Sequence, residues 1–439
     1  MTTTTRPSLP DAAPSRPSRR SRSWTRPLGA LLVAGLAATA CGDGGGDEDV
    51  TLTFTWWGGD VRHQYTQEAI EIFEDEHPHI SIEPRFNEWD GYWDQLATQT
   101  AGGDTPDIIQ MDLVYLREYI ESGILLPLDQ VETREFTQEL LDTGSLDGEL
   151  YAMPVGQTAL TFATNPELIE EAGESVPDDT AWTWEDLKEV GAAVSENTDG
   201  YGLASFFDSG GLELWLRQTY GSSMVDDDGQ LASEPDQVVP YFEMLGEFQD
   251  AGVLPSAAEM SEQHGIAREQ TLIATGDAAV APVWDAMLVA LSGGEGSELE
   301  PFMAPSLTGD ATEAGMYYKA SMFYSVAARS EHPEEAQQFV DFLVNDERVG
   351  ELQQIERGIP GNGAIRDLVR EDLGEVETKV VEYSESLEDV VADAPPMPPE
   401  GYGAVQDIIM RYQDEFFFGR LSAEETAERL HSEIEDALR

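Results

Sequence analysis

VTLTFTWWGGD, residues Val50 to Asp60, alternates apolar side chains with threonines until two tryptophans meet a glycine pair. Val50, Leu52, Phe54 and Trp56 fall on one face and the threonines on the other, the period-two pattern of a strand with one buried face. Gly58-Gly59-Asp60 breaks it. Tyr65, Ala69, Ile72 and Phe73 then recur at helical spacing, and His77-Pro78 closes that helix. Ile80 to Phe86 reads as a second strand, and Trp89 to Thr100 as a second helix ended by Gly102-Gly103. Pro106-Asp107-Ile108-Ile109 opens a third strand, with a helix near Val114 to Ser122. Strands and helices alternating at such short spacing predict an α/β fold, a mostly parallel sheet with helices on both faces.

The pattern changes further on. Residues 165–315 are richer in helix, with candidates at Asn165 to Ala172, Thr183 to Glu196 and Val238 to Ala251. Met322 to Ala328 returns to strand character, and Pro333 to Val344 is an amphipathic helix. Val405 to Leu438 reads as two helices separated near Gly419. At 439 residues the chain exceeds one simple core, so two lobes are expected.

Charge narrows the partners. The chain holds 86 acidic against 24 basic residues, a formal net charge of −62. Residues 1–40 contain six arginines and one acid, which leaves 18 basic against 85 acidic residues in the remainder. Phosphate binding needs a basic face, so nucleic acid is not expected as a partner, and an anionic ligand is disfavoured. Such acidity suits a heavily solvated surface in a saline or alkaline exterior. Only three lysines are present, Lys188, Lys319 and Lys379. No G-x-S-x-G elbow, H-E-x-x-H helix, Walker loop or complete G-x-G-x-x-G occurs. His77-Pro78-His79 reads as a turn, and Asp226-Asp227-Asp228-Gly229 as a hairpin turn without the remaining ligands of a calcium loop. No metal site and no cofactor is expected.

The start of the chain reads as an export signal. Arg16, Arg19, Arg20, Arg22 and Arg26 precede the apolar run Leu28 to Ala40, and Cys41, the single cysteine, follows it. Thirteen apolar residues are too few to cross a hydrocarbon core of roughly 30 Å. A cysteine at the cut resembles the lipobox of bacterial lipoproteins, although Ala38 stands where lipoboxes usually carry leucine. That resemblance implies a signal peptide over residues 1–40 and acyl chains on Cys41 that anchor the protein to the membrane. Residues 41–49 form a flexible tether. An ordinary signal peptide with an incidental cysteine is the alternative.

The order of motifs is more specific. TLTFTWWGG is followed by the Trp89 to Trp93 helix and by GGDTPDIIQMD, then GILLPLD (Gly123 to Asp129) and GELYAMPVG (Gly148 to Gly156). TFATN (Thr161 to Asn165), TWEDL (Thr183 to Leu187), GDAAVAPVWDAM (Gly276 to Met287), HPEEAQQFVDFL (His332 to Leu343) and GIPGN (Gly358 to Asn362) complete the series. In this order the chain resembles the extracellular solute-binding proteins of ABC transporters, the sugar-binding family that includes maltose-binding proteins. The resemblance implies a two-lobe periplasmic-binding-protein-like fold of type II, with a ligand cleft between the lobes. It places an N-terminal lobe at 50–160 plus 320–365 and a C-terminal lobe at 161–319 plus 366–439. It also implies a carbohydrate ligand, ABC transporter permease subunits as partners, a monomer, and no enzymatic turnover.

A sugar presents apolar C–H faces and a rim of hydroxyls, so its site needs flat aromatic surfaces beside carboxylates and amides. Trp56-Trp57 ends a strand at the carboxyl edge of the sheet, where α/β folds place ligands, and alternation sends the two rings to opposite sides. Trp57 is the cleft candidate. Trp89 and Trp93 share a helix face, with packing on the sheet as the alternative. Asp112 follows the third strand, where the resemblance places a hydroxyl-binding residue; it also suits a helix N-cap. Gln157 follows the MPVG strand. Trp284 resembles the family position at which a tryptophan stacks on sugar, with a core tryptophan as the alternative, and Asp285 beside it is a candidate for binding hydroxyls. Trp215 and Phe207 are further aromatic candidates. Two other functions stay open. A secreted carbohydrate-active enzyme would need one particular carboxylate pair, and no spacing singles one out. A ferric or other metal-ion-binding transport protein is suggested by Tyr317-Tyr318, which resemble the tyrosine pairs of ferric-binding proteins.

Overall fold

β1 (Val50–Trp57) lies between β2 (Ile80–Asn87) and β3 (Ile108–Met111) and pairs in parallel with both. The computed structural model describes residues 49–205, 209–226, 229–264, 266–292 and 298–439. The signal segment, Cys41, Phe207 and Asp227-Asp228 lie outside them. Val50, Leu52, Phe54 and Trp56 are buried on one face of β1 while Thr51 is exposed, as the alternation requires. Towards the end of the strand both faces are covered. α1 (Asp60–Glu76) brings His63 against Trp56, and α2 (Trp89–Gly102) brings Trp89, Tyr92 and Trp93 against Trp57. The step from β1 into α1 requires Gly58: its φ is +138°, and a Cβ there would sit 2.5 Å from Arg62 Cδ. Arg62 cannot yield easily, because its guanidinium donates to the Trp57 carbonyl and the Glu356 carboxylate.

α3 (Leu113–Glu121) follows β3 directly, with Asp112 accepting from Val114 N at its start. β4 (Met153–Thr164) then carries the chain from one half to the other. Its first part pairs antiparallel with β8 (Tyr318–Val326), ending at Ala159 opposite Tyr318. Its second part pairs antiparallel with β6 (Ala278–Trp284), starting at Leu160 opposite Trp284. β5 (Tyr201–Leu203) runs parallel to β6. β7 (Glu300–Phe302) and β9 (Ile359–Pro360) add short antiparallel pairs to β4. The strand order is β2-β1-β3-β8-β4-β6-β5.

Burial divides on either side of this crossing. One apolar cluster draws on residues 50–155 and 320–349. Two others draw on 159–316 with 383–434, and on 163–299 with 355–381. Three elements differ from the sequence pattern. β8 begins four residues earlier than the apolar run suggests, because backbone pairing to β4 holds Tyr318 and Lys319 in the strand although both are half exposed. A helix, α5 (Glu375–Ser386), buries Val380, Val381 and Tyr383; its acidic face hides the short apolar stripe. The proline-rich run Ala394 to Pro399 passes back towards the first cluster, against which Met397 packs. The last two helices are α6 (Val405–Phe417) and α7 (Ala423–Ala437), with Gly419 at φ +67° between them.

Candidate functional site

A cavity of about 290 Å³ opens beside the point where β4 crosses. Leu113 and Val114, at the start of α3, form one side together with Asp142 and Thr143. Trp284, the last residue of β6, and Tyr317 and Lys319, at the start of β8, form the other. Both strand ends are held there by adjacent residues of β4, so the ladder that joins the halves also sets the aromatic wall. α4 (Ser209–Tyr220) contributes Glu213, and Pro395 to Pro398 and Tyr402 close the remaining side.

Trp284 is half buried, and the Lys319 ammonium lies 4.2 Å from its ring centre, a cation on an indole face. The Tyr317 ring stands edge-on to it at 6.3 Å. Arg217 of α4 lies 4.9 Å from the Tyr317 ring centre and donates to the carbonyls of Gly315 and Asp393. One guanidinium thus pins α4, the approach to β8 and the proline run around the cavity. Glu213 is 6% exposed; one carboxylate oxygen accepts from Met224 N at 2.7 Å, and the other, Oε1, has no hydrogen-bond partner among the described residues. Burial raises its pKa, against the hydrogen bonds from Met224 and Ser223 and the charge of Arg217.

The sequence-derived candidates divide by position. Trp284 lines the cavity. Asp112 is mostly buried and caps α3, one residue before the lining residue Leu113. Trp215 is buried on α4, two residues from Glu213, with its ring 6.2 Å from Tyr241. Trp57 does not reach the cavity: it is 5% exposed, and Trp56 is fully buried. Helices cover both faces of β1, so alternation sends each ring into a packed layer rather than one of them into solvent. Trp89 is half buried, edge-on to Trp57 at 5.0 Å, and belongs to the same aromatic cluster. Gln157 faces Ser384 across 3.5 Å and is not among the lining residues. Asp285 is fully buried; it accepts from Thr158 Oγ1, and burial pushes its pKa up to about 7. It is not among the residues that line the cavity.

Glu213, Lys319, Tyr402 and the proline run were not singled out as ligand contacts from sequence. Their neighbours in the chain give no periodic or motif signal for a site. The sole hint is the density of prolines between Pro395 and Pro399, which marks a rigid extended segment. Of the adjacent tyrosines, Tyr317 lines the cavity, while the Tyr318 hydroxyl donates to the Ser384 carbonyl. Among the described residues, no three or more His, Cys, Asp or Glu are placed to share a metal ion, and no helix is long and apolar enough to cross a membrane.

The architecture is the two-lobe α/β fold of type II periplasmic binding proteins. A solved periplasmic oligogalacturonide-binding protein of Yersinia enterocolitica shares it, with a TM-score of 0.79 and 24% identity over 89% of this chain and 100% of that one. The family model of bacterial extracellular solute-binding proteins matches residues 59–348, more than half of the chain. The chain belongs to that family. Among curated relatives, a putative binding protein of Brucella abortus is 26% identical over 216 residues, 47% of this chain and 51% of its own length. A lactose-binding protein of Rhizobium radiobacter is 28% identical over 224 residues, 48% of this chain and 50% of its own. The chain spans about half the length of these curated relatives.

Proposed function

We infer that this protein captures a neutral oligosaccharide or related carbohydrate at Trp284 and delivers it unaltered to the permease of an ABC importer. The observation that carries this reading is the Trp284 indole, half buried at a strand end in a largely apolar cavity, with Tyr317 edge-on beside it and Glu213, Lys319 and Thr143 around it. An aromatic face packs against sugar C–H groups, and the polar side chains meet hydroxyls. The named ligands of two similar proteins, lactose, which is neutral, and digalacturonic acid, which is acidic, are both carbohydrates and support a carbohydrate ligand. The binding step is hinge closure of two lobes around the ligand, with binding energy shifting the balance towards the closed form. The protein acts as a monomer outside the cell, held to the membrane by acyl chains on Cys41.

Titration of the purified chain against a glycan panel, followed by intrinsic tryptophan fluorescence and by chromatography of the recovered glycans, tests this. A saturable fluorescence change with intact glycan recovered is expected. Cleaved saccharide, or no response to any glycan, would refute it.

A further inference from the structure

We propose that α3 and the 399–403 turn form the latch that holds the two halves closed beside the cavity, and that the surplus of carboxylates across it makes closure strengthen with ionic strength. This rests on the hinge-closure reading above and goes further, naming what regulates closure.

The ladder along β4 joins the halves through backbone pairing. α3 meets the other half through side chains and a turn, a contact that hinge rotation can part. α3 supplies Leu113 and Val114 to the cavity wall, and Tyr402 supplies the wall from the turn. Tyr115 packs with the first apolar cluster, whereas Tyr402, Ala437 and Leu438 pack with the second. A Cβ on Gly403 would lie 2.2 Å from Tyr115 Cε1, so the bare backbone lets the two surfaces seat. Arg117 lies beside Gly229 and Pro399: a Cβ on Gly229 would stand 3.3 Å from Arg117 Nη1 and 2.9 Å from Pro399 Cβ. Glu118 faces Glu400 and the Gly401 N–H. Burial raises its pKa, the charge of Glu400 raises it further, and the Gly401 N–H opposes both.

The charges across this contact do not match. Burial and the carboxylates of Asp112, Asp407 and Glu118 push the Tyr115 pKa up to about 12. Glu121 and Glu400 line a groove beside the contact together with Arg117, and both glutamates are exposed, so dissolved ions reach them. Arg117 is the sole cation of α3 and pairs with Glu121 on its own helix at 3.4 Å, with no ion pair to Glu400 among the described residues. Arg439, near Leu438 at the end of α7, is held by Glu435 and Asp436 at 2.8 and 2.5 Å. Asp112, Glu118 and Glu121 on one half therefore approach Glu400 and Asp407 on the other with Arg117 between them. Closing the halves brings like charges together, and mobile ions reduce that cost. The screening length falls from about 10 Å at 0.1 M salt to about 3 Å at 1 M. An uncharged ligand adds no charge of its own, so a salt response in its binding belongs to the protein.

The test is small-angle X-ray scattering of the purified chain without ligand, in about 0.1 M and about 1 M potassium chloride, with Glu118→Gln and Glu400→Lys beside it. The wild-type radius of gyration should fall as salt rises. Glu118→Gln should respond less. Glu400→Lys should respond in the opposite direction, because it sets a cation against Glu118. For any neutral glycan the chain binds, calorimetric titration should show wild-type affinity rising about two- to fivefold over the same interval, the range for one exposed charge pair, and falling in Glu400→Lys. Circular dichroism and cooperative unfolding establish that each variant is folded; Glu400→Lys, at an exposed position, carries the test if Glu118→Gln does not fold. The proposal is overturned if the wild-type scattering does not change with salt, or if the folded variants respond as the wild type does. Failure of every glycan to bind would remove the carbohydrate reading, while the scattering still decides the latch.

Discussion

Asp285→Asn isolates a buried charge whose effect on stability has a definite sign. Asp285 is fully buried, accepts from Thr158 Oγ1, and leaves its second carboxylate oxygen without a partner among the described residues. Burial lifts its pKa from an ordinary 3.8 to about 7, even though Thr158 and the backbone N–H groups of Ala159 and Ala286 favour the ion. Between those two values the folded protein holds a proton that the unfolded chain has released. Stability from this group is therefore greatest below the unfolded value, declines as pH rises through the window, and levels off above about 7. At about 1.4 kcal/mol per unit, a rise of this size corresponds to roughly 4 kcal/mol. Asparagine keeps the shape and cannot ionise. Relative to the wild type, Asp285→Asn should thus gain up to roughly 4 kcal/mol on going from about pH 4 to about pH 8. Denaturant unfolding of both proteins at steps across that interval, followed by tryptophan fluorescence, reads the difference directly. The many surface carboxylates act on both proteins alike and cancel. A stability difference that stays constant with pH would show that Asp285 ionises normally in the fold, and the burial argument would fail.

Trp284→Ala should weaken glycan binding by roughly 2 kcal/mol or more while leaving the unfolding transition cooperative, as measured by calorimetric titration beside a thermal melt; unchanged affinity would remove the indole from the site. Gly403 sits where a Cβ would come within 2.2 Å of Tyr115 Cε1, and Tyr115 itself is stacked on Trp93 at 3.9 Å. Gly403→Val should therefore cost about 1–3 kcal/mol through overpacking, and Tyr115→Ala in the same chain should recover most of it; a simple sum of the two single losses in a double-mutant cycle would count against the contact. Cys41→Ala should move the exported protein from the membrane fraction to the medium, and retention at the membrane on fractionation would exclude the lipid anchor.

The first three strands and their helices were legible because each satisfies one local rule. β1 alternates, Asp112 caps α3, and Gly103 ends α2 in the left-handed conformation. Of the tryptophan candidates only Trp284 lines the cavity, at the end of a small-residue strand, and its ring also resembles a family position. Trp57 carried the same local signature and proved to be core, since what covers the far face of β1 is not written in β1. The cavity charges were hidden for a related reason. Lys319 and Glu213 lie about a hundred residues apart, and among 86 acids no single glutamate stands out.

The amino-acid order alone determined the element types, the α/β class and the expectation of two lobes, because periodicity, caps and turn residues act over a few neighbours. Only tertiary structure decided which tryptophan meets the cavity, which carboxylates are buried and which lysine lies over the indole ring. Those outcomes depend on strand pairing across the β4 crossing and on the proline run folding back over it. Burial and charge pairing are set by what arrives from distant parts of the chain, and no local pattern encodes that.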